Sequence, residues 1–264
     1  MILSYKNSQV HFCTEGKGRA VVLLHGFLEN LSMWENVAAT LSEKYLVVCI
    51  DLAGHGKTGN QGYIHRVEDQ ADLVRAVLAK LRLRKYVLVG HSMGGYVALA
   101  LAKQYPNNIK GLCLMNSTAS PDSPKKRQHR DRAVRTVKKH PQSFVKMAIP
   151  QLFSEENRER YSTEIKQLIS EACKMSVQGM VAALEGMKIR DDFRSVYREE
   201  RFPVMLMAGT KDPVLTYPEL VEQVRGTRAE LRSYQGGHMS HLENTDACIR
   251  DLTGFLKKCY SFNL

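Results

Sequence analysis

Residues 86–95 read Tyr-Val-Leu-Val-Gly-His-Ser-Met-Gly-Gly, and a helical pattern runs on over 95–105 until Pro106 stops it. The apolar run 86–89 does not alternate with polar residues, so it reads as a strand buried on both faces. Between that strand and the helix lies Gly90-x-Ser92-x-Gly94. A strand, a sharp turn and a helix in this order hold the serine in a strained conformation with its hydroxyl projecting. Side chains at positions 90 or 94 would strike neighbouring backbone. Ser92 stands at the carboxyl end of a buried strand, where doubly wound sheets place their ligands.

Working outward, the same kind of short apolar run recurs at 20–24, 46–50, 111–115 and 204–207, with a weaker one at 230–234. Runs 2–5 and 10–14 flank Asn7 and Ser8, which predicts a turn between two antiparallel edge strands. Amphipathic helices fill the gaps. The clearest places Val67, Ala71, Val74, Leu78 and Leu81 on one face, with Glu68 and Asp69 at its start and Lys80, Arg82 and Arg84 at its end. That charge order complements the helix dipole. Ser32 and Glu35 stand in capping-box register before another. Strand, helix, strand in repetition predicts an α/β doubly wound, mostly parallel sheet.

The alternation stops between residues 117 and 200. No buried-strand run occurs there, and the pattern is helical, broken at Pro124, Pro141, Pro150 and near Gly179. Ser154 reads as one helix start and Ser176 as another. Strands resume at Val204 and need the earlier ones as partners, so the segment reads as an insertion between two strands. The expected division is a core of residues 1–116 and 201–264 and a helical cap of residues 117–200.

The chain has 264 residues, 44% of them hydrophobic, enough for a core of its own. This excludes disordered, collagen-like and disulfide-stapled miniprotein classes. No run approaches the roughly 18 apolar residues of a membrane span, and the amino terminus lacks a signal-peptide pattern. A cytoplasmic protein that does not engage membranes is expected. The six dispersed cysteines read as free thiols in a reducing compartment. No His/Cys set has metal-ligand spacing, and neither a phosphate loop nor aromatic-basic interleaving occurs. The expectation is therefore no metal, no cofactor and no nucleic-acid partner. The net charge is +11, of which residues 125–146 carry +8, nine Lys and Arg against Asp131 alone. With Ala133, Val134 and Val137 as a narrow buried face, that stretch reads as a cap helix with its charges in solvent. Attraction of an acidic substrate or surface is the alternative.

A serine hydroxyl needs a base, and the base an orienting carboxylate. Asp212 follows the run 204–207, and His238 follows Gly236-Gly237 past the last strand. The order Ser92, Asp212, His238 suits acyl transfer at a strand-turn-helix serine. His241 is the rival base, and Asp246 and Asp251 are weaker candidates for the carboxylate. The oxyanion donors fall to the backbone N–H groups of Met93, next after the serine, and Phe27, after strand 20–24. His25, Phe144, Met147, Met180 and Met187 are candidates to line a substrate pocket, His25 reading as a loop histidine and not as a second base.

His25-Gly26-Phe27, Asp51 through Thr58, Gly90 to Gly95, Gly209 to Asp212 and Gly237 to Glu243 together resemble the α/β-hydrolase superfamily. The similarity is to its small cap-bearing serine hydrolases: carboxylesterases, enol-lactonases, carbon-carbon hydrolases and perhydrolases. Lys57-Thr58 and Ala53 depart from the common pattern without touching the three candidate catalytic residues. A serine at position 92, not an aspartate, argues against haloalkane dehalogenase and epoxide hydrolase activities. The resemblance implies a cofactor-free esterase acting on small to medium carboxylic esters through an acyl-enzyme, with a small-molecule ester as partner. Its alternatives are a carbon-carbon hydrolase, lactonase or perhydrolase, or a ligand-binding protein that retains the three residues.

Overall fold

The computed structural model describes residues 1–199 and 201–262. Eight strands, β1 (Ile2–Tyr5), β2 (Ser8–Glu15), β3 (Ala20–Leu24), β4 (Leu46–Ile50), β5 (Tyr86–His91), β6 (Ile109–Met115), β7 (Val204–Gly209) and β8 (Glu230–Tyr234), form one sheet. The spatial order is β1-β2-β4-β3-β5-β6-β7-β8. The β1–β2 and β2–β4 pairs are antiparallel, and every pair from β4 to β8 is parallel.

Successive residues of the central strands serve opposite faces, as the pleat requires. Val21 and Leu23 of β3 pack beneath α1 (Glu35–Ser42) with Trp34 and Leu41, while Val22 and Leu24 join the other face. That other face is covered by α2 (Val67–Lys80) and α3 (Met93–Gln104). The insertion between β6 and β7 contains α4 (Pro124–Lys139), α5 (Pro141–Ala148), α6 (Ser162–Ala172), α7 (Val177–Lys188) and the short α8 (Ser195–Arg198). After β7 come α9 (Tyr217–Val224), then α10 (Ser240–Glu243) and the terminal α11 (Thr245–Ser261), whose Leu252, Phe255 and Leu256 complete the α1 side.

Three local expectations are corrected. The Ser32 capping box does not form: Asn30 Oδ1 accepts from the Ser32 N–H at 2.9 Å to cap a single 3-10 turn, and α1 follows from Glu35. Ser154 does not start the long helix, because its hydroxyl is taken by the Glu243 carboxylate at 2.8 Å; α6 begins at Ser162. The turn between the edge strands uses Lys6, with φ 50°, so Ser8 already belongs to β2. Ser176 does cap α7, accepting from the Gly179 N–H at 3.0 Å.

Candidate active site

Ser92 occupies the sharp turn between β5 and α3 with φ 47° and ψ −113°, a conformation L-residues avoid. Two glycines make the turn possible. A Cβ at Gly90 would stand 2.4 Å from the Gly94 carbonyl oxygen, and one at Gly94 would stand 2.3 Å from that of Leu24. The Ser117 hydroxyl braces the turn by donating to the Ser92 carbonyl at 2.7 Å.

The loops after β7 and β8 bring Asp212 and His238 to this serine. His238 Nε2 lies 2.8 Å from Ser92 Oγ, and His238 Nδ1 lies 2.7 Å from Asp212 Oδ2. Burial works against a charge on Asp212, but His238, the Asn116 amide at 3.0 Å and the Leu215 N–H at 3.0 Å together hold its carboxyl below the usual range. An ionised Asp212 accepts the Nδ1 proton and leaves the Nε2 lone pair directed at the serine hydroxyl. That arrangement can remove the hydroxyl proton as the oxygen attacks a carbonyl.

His241, the rival base, is elsewhere: it is buried against His91 and Trp34, and neither ring nitrogen has a partner among the described residues. Asp246 and Asp251 both lie on α11, and Asp251 accepts from the Tyr234 hydroxyl at 2.8 Å.

Four residues to which the sequence reading gave no role hold the constellation together. Glu29 Oε2 accepts from the Gly26 N–H at 2.7 Å and from His91 Nδ1 at 2.8 Å, and His91 Nε2 donates to the His238 carbonyl at 2.9 Å. Both His91 nitrogens thus face acceptors, which requires the imidazolium. Burial opposes that charge, yet Glu29 outweighs it and raises the His91 pKa, while the Glu29 carboxyl is pushed down to about 2. One buried ion pair therefore joins the loop after β3 to the loop that carries His238. Asn116, at φ 46° just past β6, donates to both Asp212 Oδ2 and the Gly237 carbonyl. Glu243 accepts from the Gly237 N–H at 2.8 Å and from Ser154 and Asn157 of the insertion. With the His238 N–H donating to the Leu152 carbonyl at 2.7 Å, the insertion is tied to the histidine loop itself.

A cavity of about 550 Å³ opens over Ser92 and His238, between the core and the insertion. From the insertion, Phe144 and Met187 line it, as the sequence suggests, and Phe27, expected as an oxyanion donor, lines it too. Three candidate lining residues are corrected. His25 is buried beneath the loop, its Nε2 accepting from the Leu52 N–H at 2.9 Å and its Nδ1 donating to the Gly26 carbonyl. Met180 packs into the core at 1% exposure, and Met147 turns outward at 55%. The picture of α4 with all its charges in solvent is corrected too: Lys125, Lys126, His129 and Arg130 line this cavity beside Ala133. Met93, at the first position of α3, has an N–H that no helix bond can satisfy.

The chain is similar over nearly its whole length to known proteins. A pyrrolizixenacetamide deacetylase from Xenorhabdus hominickii is 27% identical over 258 residues, 95% of each chain. 3-Oxoadipate enol-lactonase 2 of Acinetobacter baylyi is 24% identical over 97% of this chain and 96% of that one. Among solved structures, a malate-bound thermophilic esterase from Thermogutta terrifontis superposes with a TM-score of 0.90 at 27% identity, covering 96% of this chain and 94% of that one. The sequence profile of the alpha/beta hydrolase fold matches residues 19–245. With its serine turn, its parallel sheet and a match over most of its length, the chain belongs to the alpha/beta hydrolase family.

Proposed function

We propose that the protein is a serine hydrolase that cleaves small to medium carboxylic esters through an acyl-enzyme. The observation that carries this reading is the relay from Ser92 Oγ through His238 to the buried Asp212 carboxylate, with links of 2.8 and 2.7 Å, at the floor of a cavity. Ser92 attacks the ester carbonyl while His238 takes its proton. His238 then returns the proton to the leaving alcohol and activates a water that releases the acid. Asp212 fixes the ring and balances its transient charge. The N–H groups of Phe27 and Met93 receive the oxyanion. The insertion acts as a cap that shapes the pocket. Relatives named as an esterase, an enol-lactonase and a deacetylase support hydrolytic chemistry of this kind. Six free cysteines fit the reducing cytoplasm, where we place the protein.

A series of p-nitrophenyl esters of increasing acyl length tests the reading. Turnover with a maximum at short or medium chains is expected. Failure to turn over any ester, with ligand binding retained, would replace the hydrolase by a binding protein.

A further inference from the structure

The charges in the wall of the cavity over Ser92 do not balance. Three carboxylates line it: Glu29, Asp122 and Glu219. Glu29 is matched by His91. Glu219 faces Lys126, which also lines the cavity, at 3.9 Å. Asp122, buried, takes two guanidiniums at once: Arg130 Nε donates to Oδ2, and Arg190 Nη1 donates to Oδ1 at 2.6 Å. Its carboxyl is burdened by burial but held ionised by those two cations, and its pKa is lowered. One carboxylate therefore answers two permanent cations, of which Arg130 lines the cavity and Arg190 does not.

The rest of the setting leaves the positive charge in excess. Arg190 is itself 3% exposed, stacks on Tyr96 with its guanidinium 4.0 Å from the ring centroid, and donates to the Met187 and Ser120 carbonyls at 2.9 Å, while its Nε has no partner among the described residues. Arg127 donates to the Asp122 carbonyl, and Lys125, which also lines the cavity, has no partner among the described residues. Asp131, the one acidic residue of α4, is engaged by Lys188 at 2.7 Å and does not line the cavity. An apolar wall strengthens the attraction of a nearby cation for an anion. Here that wall is made by Phe144, Leu152, Leu184 and Met187.

We propose that the site selects monoanionic esters, carrying a free carboxylate on the arm away from the scissile carbonyl, with Arg130 and Lys125 supplying the countercharge. This rests on the serine hydrolase reading above and adds the class of substrate to it. Half-esters of short dicarboxylic acids are the simplest members of the class. The corresponding neutral diesters have the same length and leaving group without the charge.

The test compares kcat/KM for monomethyl and dimethyl esters of the C4 to C8 dicarboxylic acids. The half-ester is expected to win by about tenfold at low salt, with the advantage shrinking as ionic strength rises. Arg130→Gln and the surface substitution Lys125→Gln each lower the ratio of half-ester to diester kcat/KM. Lys139→Gln, on the exposed end of the same helix, leaves the ratio as it was. Should Arg130→Gln fold poorly, Lys125→Gln alone still decides the matter. Diester turnover equal to or faster than half-ester turnover, or a ratio that neither variant moves, overturns the proposal and leaves the hydrolase reading standing. No turnover of either ester overturns both.

Discussion

Replacing Ser92 by alanine abolishes ester hydrolysis: kcat/KM falls by on the order of 10⁴-fold or more, the scale on which nucleophile removal acts in relays of this type. The fold survives the change. Serine and alanine share a Cβ, so the strain at φ 47° is the same in both, and the space around the turn is set by Gly90 and Gly94. The thermal midpoint is expected to stay within about 4 °C of the parent. Kinetics with a chromogenic ester, beside calorimetry on the same preparation, check both halves. A variant that keeps parental activity removes Ser92 from the mechanism, whatever its distance from His238.

The second large effect concerns stability in acid. His25, His55, His65 and His241 are all buried, and their environments require neutral rings. His25 accepts an N–H at Nε2, while His55 Nε2, His65 Nδ1 and both nitrogens of His241 have no partner among the described residues. Burial pushes the pKa of His55 and His241 down to about 3 and that of His65 to about 4, and lowers that of His25. A depressed folded pKa means that the stabilisation is whole above the unfolded value of about 6.5 and is lost as pH falls towards the folded value. At pH 5, a ring held at such a pKa costs the native state roughly 2 kcal/mol, a large share of a net stability of roughly 5 to 15 kcal/mol.

The Glu29–His91 pair does not offset this. The His91 pKa is raised, so its contribution is already complete once pH has fallen to the unfolded value. Glu29, held near 2, withdraws its own contribution at still lower pH. Denaturant unfolding followed at pH 7.5, 6 and 5 is therefore expected to show a steep loss that begins close to pH 6.5. Unchanged stability down to pH 5 contradicts the neutral buried histidines.

The central strands were legible because burial on both faces leaves an unbroken apolar run, as in Val21 to Leu24. The edge strand β8 was faint because Arg232 and Ser233 are exposed. Ser92, Asp212 and His238 could be nominated from sequence since each follows a strand at the same end of the sheet, and the structure brings the three together.

The supports could not be nominated. Glu29 meets His91 across 62 positions, and Glu243 meets Ser154 across 89, so no local pattern marks either carboxylate. Asn116 left only a faint trace, a polar residue directly after a buried strand. Helical periodicity shows that Met180 faces inward but not whether inward means core or cavity. The basic stretch misled for a related reason: α4 turns one face to the cavity through Lys125, His129 and Ala133 at four-residue spacing, and charge alone does not reveal which side is wet.

The claim that Ser92 forms a covalent acyl-enzyme is tested most directly by mass spectrometry after incubation with a p-nitrophenyl phosphonate, which mimics the tetrahedral intermediate. The account predicts one phosphonyl group per chain, carried by the peptide that contains Ser92, with nitrophenol release and loss of ester hydrolysis advancing in step. An unmodified Ser92 peptide in a fully inhibited enzyme, or a modified one in a fully active enzyme, would contradict it.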